Sequence, residues 1–117
     1  MATPANLQAE WSRLLAVTLA DAGIADVILS PGSRSTPFVL AVLNEPRLRV
    51  LDVIDERVAG FVALGMARVT AQPALLLCTS GTAVAHYLPA VIEAAEAGVP
   101  LLVLSADRPP ELQDTAA

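Results

Sequence analysis

The chain has 117 residues, which excludes two packed domains and leaves one domain or part of one. An apolar fraction of 55% and a mean hydropathy of +0.59 exclude intrinsic disorder. Twelve acidic residues against 7 basic ones give a net charge of −5 and a pI near 4.6, with no basic footprint for nucleic acid.

Leu7, Trp11, Leu14, Leu15 and Leu19 recur at helical spacing, with Asn6 as N-cap and Gly23 as stop, so the first helix ends near Ala22. Val27-Ile28-Leu29 is a short continuous apolar run, the form of a strand buried on both faces of a parallel sheet. After the loop Ser30-Pro31-Gly32-Ser33-Arg34-Ser35, Thr36 caps a second helix with Pro37 at its first position, running through Phe38, Leu40 and Leu43 to Pro46. Leu48 to Ile54 forms a second buried strand. Asp55 caps a third helix containing Phe61, Val62, Leu64 and Val69. On it Ala59, Ala63 and Ala67, beside Gly60, make a thin face that admits a close neighbour.

Ala74 to Cys78 is the third strand. Thr79-Ser80-Gly81-Thr82 then opens a fourth helix that reaches Ala97, bends at Pro89 and stops at Gly98. Leu101 to Leu104 is the fourth strand, followed by Ser105-Ala106-Asp107-Arg108-Pro109-Pro110. Strand and helix alternate four times, which predicts an α/β fold: a three-layer, open parallel sheet with helices on both faces. The stretch Val69 to Ile92 carries no Asp, Glu, Lys or Arg, yet Gln72, Pro73, Gly81 and Pro89 interrupt it, so no membrane span is expected. No export signal precedes Arg13.

Each polar cluster begins where an apolar strand ends. In open parallel sheets ligands bind at the carboxyl ends of strands, so the clusters are expected to converge on one rim. All 7 basic residues are arginine, which excludes a P-loop or Schiff-base lysine from this chain. No two glycines stand two apart, so the dinucleotide fingerprint is missing. The Ser30 to Ser35 loop offers hydroxyls at Ser33 and Ser35 and the guanidinium of Arg34 for a carboxylate or phosphate; it reads equally as a loop that caps the next helix. Thr79 to Thr82 present amides and hydroxyls at a helix start, suited to an anion or to simple capping. Arg108 either faces the same rim as Arg34 or pairs with Asp107 at the surface. Glu56 reads as a solvated first-turn acid or as a chemically used one. Cys78 and His86 stand alone on apolar elements and read as core. They supply neither a metal site nor an internal disulfide, leaving the cytoplasm as the expected compartment.

Taken together, residues 30–37 (SPGSRSTP), Asp55-Glu56-Arg57, residues 79–85 (TSGTAVA) and residues 106–112 (ADRPPEL) closely resemble the 2-succinyl-5-enolpyruvyl-6-hydroxy-3-cyclohexene-1-carboxylate synthases, thiamine-diphosphate-dependent enzymes of menaquinone biosynthesis. The resemblance covers nearly the whole chain. It implies that residues 1–117 are the front part of a pyrimidine-binding domain. In that role Glu56 hydrogen-bonds the cofactor's aminopyrimidine and favours the tautomer that takes the thiazolium proton. Thr79, Ser80, Gly81 and Thr82 lie beside the pyrimidine, and Ser33, Arg34 and Arg108 meet carboxylates of the substrates, 2-oxoglutarate and isochorismate. It also implies an Asn-Gln segment beyond Ala117, a downstream domain that holds the diphosphate and Mg²⁺, a homodimeric or homotetrameric full-length enzyme, and no activity in this piece alone. The same residues also admit a stand-alone flavodoxin-like module that holds a small anion at Arg34 and Thr79 to Thr82, or an oligomerisation domain that buries the alanine face.

Overall fold

The structure, a computed structural model, describes the backbone of residues 4–115 and the side chains of residues 7–115. Helix α1 spans Pro4–Asp21. It starts at Pro4, whose fixed φ suits the first helical turn, and not at an Asn6 cap; the Asn6 side chain lies outside the described residues. Strand β1 (Asp26–Leu29) leads through a 3-10 turn at Ser33–Ser35 into α2 (Thr36–Leu43). Then come β2 (Arg49–Asp52), α3 (Glu56–Thr70), β3 (Ala74–Cys78), a 3-10 segment (Ala83–Tyr87), α4 (Leu88–Ala97), β4 (Leu101–Ser105) and a 3-10 turn at Pro110–Leu112. None of the described helices is long and apolar enough to cross a membrane.

The four strands form one all-parallel sheet in the order β2-β1-β3-β4. Alternation along β1 and β3 divides the core between two faces. Val27, Leu29, Leu75 and Leu77 pack under α1 and α2, whereas Ile28, Leu76 and Cys78 pack under α3 and the Ala83–Tyr87 segment. Every residue of β1 and β3 is buried: the apolar runs Val27–Leu29 and Ala74–Cys78 predict this, and Asp26, which extends β1 by one residue, is buried as the partner of Arg49. The alanine face of α3 works as expected: Ala59, Ala63 and Ala67 are buried, and a Cβ on Gly60 would come within 2.9 Å of the Ala90 methyl on α4.

Four local expectations are overturned. Strand β2 is not buried: at the sheet edge it has one strand neighbour, and Leu51 is 45% exposed. Thr36 is the first residue of α2 and not its cap, because its hydroxyl donates to Ser33 O at 2.8 Å. Pro89 lies in the first turn of α4, where its missing N–H breaks no helical bond, so it starts a helix where a bend is expected. His86 is exposed, since Ala83 and Tyr87 take the inward positions of their segment.

Candidate functional site

The parallel register sets the strand ends level. Leu29 lies opposite Asp52 and Leu77, and Cys78 lies opposite Ser105. Buried Ser30 ties this rim together: its N–H donates to Leu77 O at 2.9 Å and its hydroxyl donates to Val53 O at 2.6 Å. Across β3, the N–H of Ala106 donates to Cys78 O at 3.1 Å. All four polar clusters therefore leave from one edge.

Three of the loops meet. Gly32 is so close to Thr79 that a Cβ would fall 2.4 Å from that residue's own Cβ. Gly81 turns with φ +77°, a conformation that favours glycine, and this brings its loop beside Arg108; a Cβ on Gly81 would lie 3.4 Å from Arg108 Nη2. Gln8, Ser33, Arg34, Pro37, Asp107, Arg108 and Pro109 line a cavity of about 390 Å³. The loops after β1 and β4 thus deliver both candidate guanidinium groups to one cavity.

Neither guanidinium there is held in an ion pair, although Asp107 shares the lining. Arg13, Arg47, Arg49 and Arg57 each pair with a carboxylate, whereas Arg34, Arg68 and Arg108 have no acidic partner among the described residues. The surface pair of Arg108 with Asp107 does not form. Asp107 Oδ1 accepts the backbone N–H of Arg108 at 2.7 Å, and Oδ2 accepts from Gln113 Nε2 at 3.3 Å. The hydroxyls of Ser35 and Thr36 are spent on Gly32 O and Ser33 O, and that of Ser33 makes no bond among the described residues.

Glu56 belongs to the same rim but to the other face. It opens α3 after Asp55, whose carboxylate caps the helix by accepting from the N–H groups of Arg57 and Val58. Half-buried Glu56 makes no hydrogen bond or ion pair among the described residues and is absent from the described lining of the arginine cavity. Its charge reaches Cys78 and Tyr87. Burial is the main cause that pushes both the Cys78 thiol and the Tyr87 phenol up from their ordinary values. Tyr87 Oη is fully buried without a hydrogen-bond partner among the described residues, with Cys78 and Ser30 as its polar neighbours.

Two placements differ from expectation. Thr79 to Thr82 lead into a five-residue 3-10 segment and not into the N-terminus of an α-helix, which removes the dipole argument for an anion there. Gln8, on α1, lines the arginine cavity although no strand-end rule points to it. Among the described residues no three His, Cys, Asp or Glu side chains gather as a metal site would require.

Comparison with known proteins fits this arrangement. The chain is 60% identical over 107 residues to the 2-succinyl-5-enolpyruvyl-6-hydroxy-3-cyclohexene-1-carboxylate synthase of Chloroflexus aurantiacus, covering 92% of this chain and 18% of that protein. Proteins of the same name from Sorangium cellulosum and Dechloromonas aromatica are 52% and 54% identical over 112 residues, covering 96% of this chain and 18% and 21% of theirs. The chain thus spans about one fifth of the length of these relatives. Residues 10–117 match the family described as thiamine pyrophosphate enzyme, N-terminal TPP binding domain, and the chain belongs to that family.

Proposed function

We propose that residues 1–117 form the front part of the pyrimidine-binding domain of a thiamine-diphosphate-dependent synthase. The full-length enzyme decarboxylates 2-oxoglutarate and adds the succinyl carbanion equivalent to isochorismate. The observation that carries this reading is the pair Arg34 and Arg108, without acid partners among the described residues and facing one cavity beside Ser33. Guanidinium forks match carboxylates, and both substrates are carboxylic acids. Local arginines explain how a chain of net charge −5 captures anions. The product named for the relatives carries its 6-hydroxyl next to its 1-carboxylate, so the ring substrate presents a hydroxyl beside an acid.

The residues present fit the pyrimidine end of the cofactor. Glu56 is a half-buried carboxylate with both oxygens free among the described residues, as an acceptor for a ring N–H requires. Thiamine diphosphate supplies carbanion chemistry when bound. Glu56 holds a proton at the pyrimidine, and Thr79, Ser80, Gly81 and Thr82 border the ring. The diphosphate and Mg²⁺ fall to a downstream domain of a homodimeric or homotetrameric protein, so this piece alone is inactive.

The test is steady-state kinetics of the full-length protein. Arg34→Gln and Arg108→Gln are each expected to raise KM for isochorismate or 2-oxoglutarate about 10-fold to 100-fold, the scale of a charge-assisted hydrogen bond, with cofactor affinity unchanged. Unaltered KM for both acids would remove the basis of the reading. Tight anion binding by the isolated 117-residue chain would instead favour a stand-alone module.

A further inference from the structure

The arginine cavity contains more than its charges. Its guanidinium groups are donors only, so they satisfy a carboxylate but give a hydroxyl hydrogen nothing to bind. Asp107 is the acid in the lining; its oxygens accept from the Arg108 N–H and the Gln113 amide, and its negative charge disfavours a place beside a bound carboxylate. Pro37 and Pro109 supply apolar wall. What remains is the Ser33 hydroxyl, on the same turn as Arg34, and the carboxamide of Gln8, which enters from α1. The Gln8 side chain makes no hydrogen bond among the described residues; its backbone carbonyl accepts from Ser12.

We infer that Gln8 is a specificity-determining residue: its carboxamide accepts the hydroxyl that neighbours the carboxylate held by Arg34 and Arg108. This rests on the proposed function, since it takes the ring acid as occupant of the cavity. The residue type suits the task. A neutral carboxamide both accepts and donates, whereas a carboxylate at position 8 would accept the hydroxyl but repel the acid beside it. Gln8 is exposed, so replacing it does not open the core.

Titration calorimetry on the full-length protein tests this with two probes, cyclohexanecarboxylate and trans-2-hydroxycyclohexanecarboxylate, which differ only by the hydroxyl beside the acid. The wild-type protein is expected to bind the hydroxy acid about five- to tenfold more tightly, the value of one neutral hydrogen bond. Gln8→Leu erases that preference and leaves the plain acid's affinity unchanged. Gln8→Glu weakens both probes, and so does Arg108→Gln. If Gln8→Leu keeps the preference, or the wild type shows none, the role of Gln8 is overturned while the arginine site stands. If Arg108→Gln leaves both affinities unaltered, or neither probe binds the wild type, the arginine site itself falls and the role of Gln8 with it.

Discussion

The Gly32 Cα lies so near Thr79 that an added Cβ would sit 2.4 Å from Thr79 Cβ and 2.5 Å from its Cγ2. This approach locks the loop that carries Ser33 and Arg34 against the end of β3. Gly32 has φ −168°, extended backbone open to any residue, so the need for glycine here is steric alone. Gly32→Ala is expected to lower stability by about 1–3 kcal/mol, the usual scale of overpacking, and to weaken anion binding by displacing Arg34. Adding Thr79→Gly should restore much of the loss, because the two sites share one contact. Denaturant unfolding reads both effects; a single variant with the wild-type midpoint would disprove the contact.

Asp55 provides a pH-dependent test of the α3 N-terminus. Hydrogen bonds from the backbone N–H groups of Val58 and Arg57 hold its carboxyl below the ordinary 3.8. A depressed folded value means that its stabilisation is complete above about 3.8 and fades as pH falls through the lower folded value. Asp55→Ala should therefore lower the thermal midpoint by a few degrees at pH 7, with the gap to wild type narrowing in strong acid. Asp55→Asn, which still caps, should lose less. A gap of constant size across this range would contradict the assignment.

Tyr87 and Cys78 give the opposite slope. Both acids are pushed up, chiefly by burial, so the fold favours their protonated forms; their contribution is complete below the unfolded values and is lost as pH rises through the folded ones. Cys78 is inaccessible and should resist alkylation in the native protein at pH 8, reacting only as the chain unfolds. The Tyr87 hydroxyl has lost water without gaining a partner among the described residues, so Tyr87→Phe should leave stability unchanged or raise it by about 1 kcal/mol. A clear loss on removing the hydroxyl would mean that it is bonded in the native protein.

How far the sequence revealed this arrangement depends on the kind of signal. Ala74 to Cys78 is legible as a strand because burial on both faces demands an unbroken apolar run, and the structure ends it at the same residues. The Asp55 cap is legible because a short carboxylate before a helical pattern has one common use. Sheet order is less legible, and it decides that β2 lies at an edge with Leu51 exposed. Thr36 and Pro89 show a different difficulty: 3-10 turns before α2 and α4 shift each helix start, and local propensity barely separates the two helix types. Arg34 and Arg108 are readable as strand-end residues, but their meeting in one cavity depends on β4 lying beyond β3. Gln8 carries no local mark, because its place follows from how α1 packs against α2.

Glu56 separates catalysis from architecture. As the first residue of α3 it bonds to nothing among the described residues, so its exchange for glutamine costs the fold no partner. Glu56→Gln keeps the shape and a hydrogen-bonding carbonyl but removes the charge that, in the proposed role, would hold a proton at the pyrimidine ring. In the full-length protein turnover should fall by about 10²-fold to 10⁴-fold, the scale of a proton-transfer group, while the unfolding midpoint shifts by no more than the small amount that losing a first-turn charge costs. In the proposed roles the arginines would act on binding and should appear in KM, so combining Glu56→Gln with Arg108→Gln should change kcat and KM by nearly independent factors, as expected for groups on opposite faces of one rim. A turnover unaffected by Glu56→Gln would reject the assigned role, and a fall in turnover matched by a fall in the unfolding midpoint would assign Glu56 to the architecture of α3 instead.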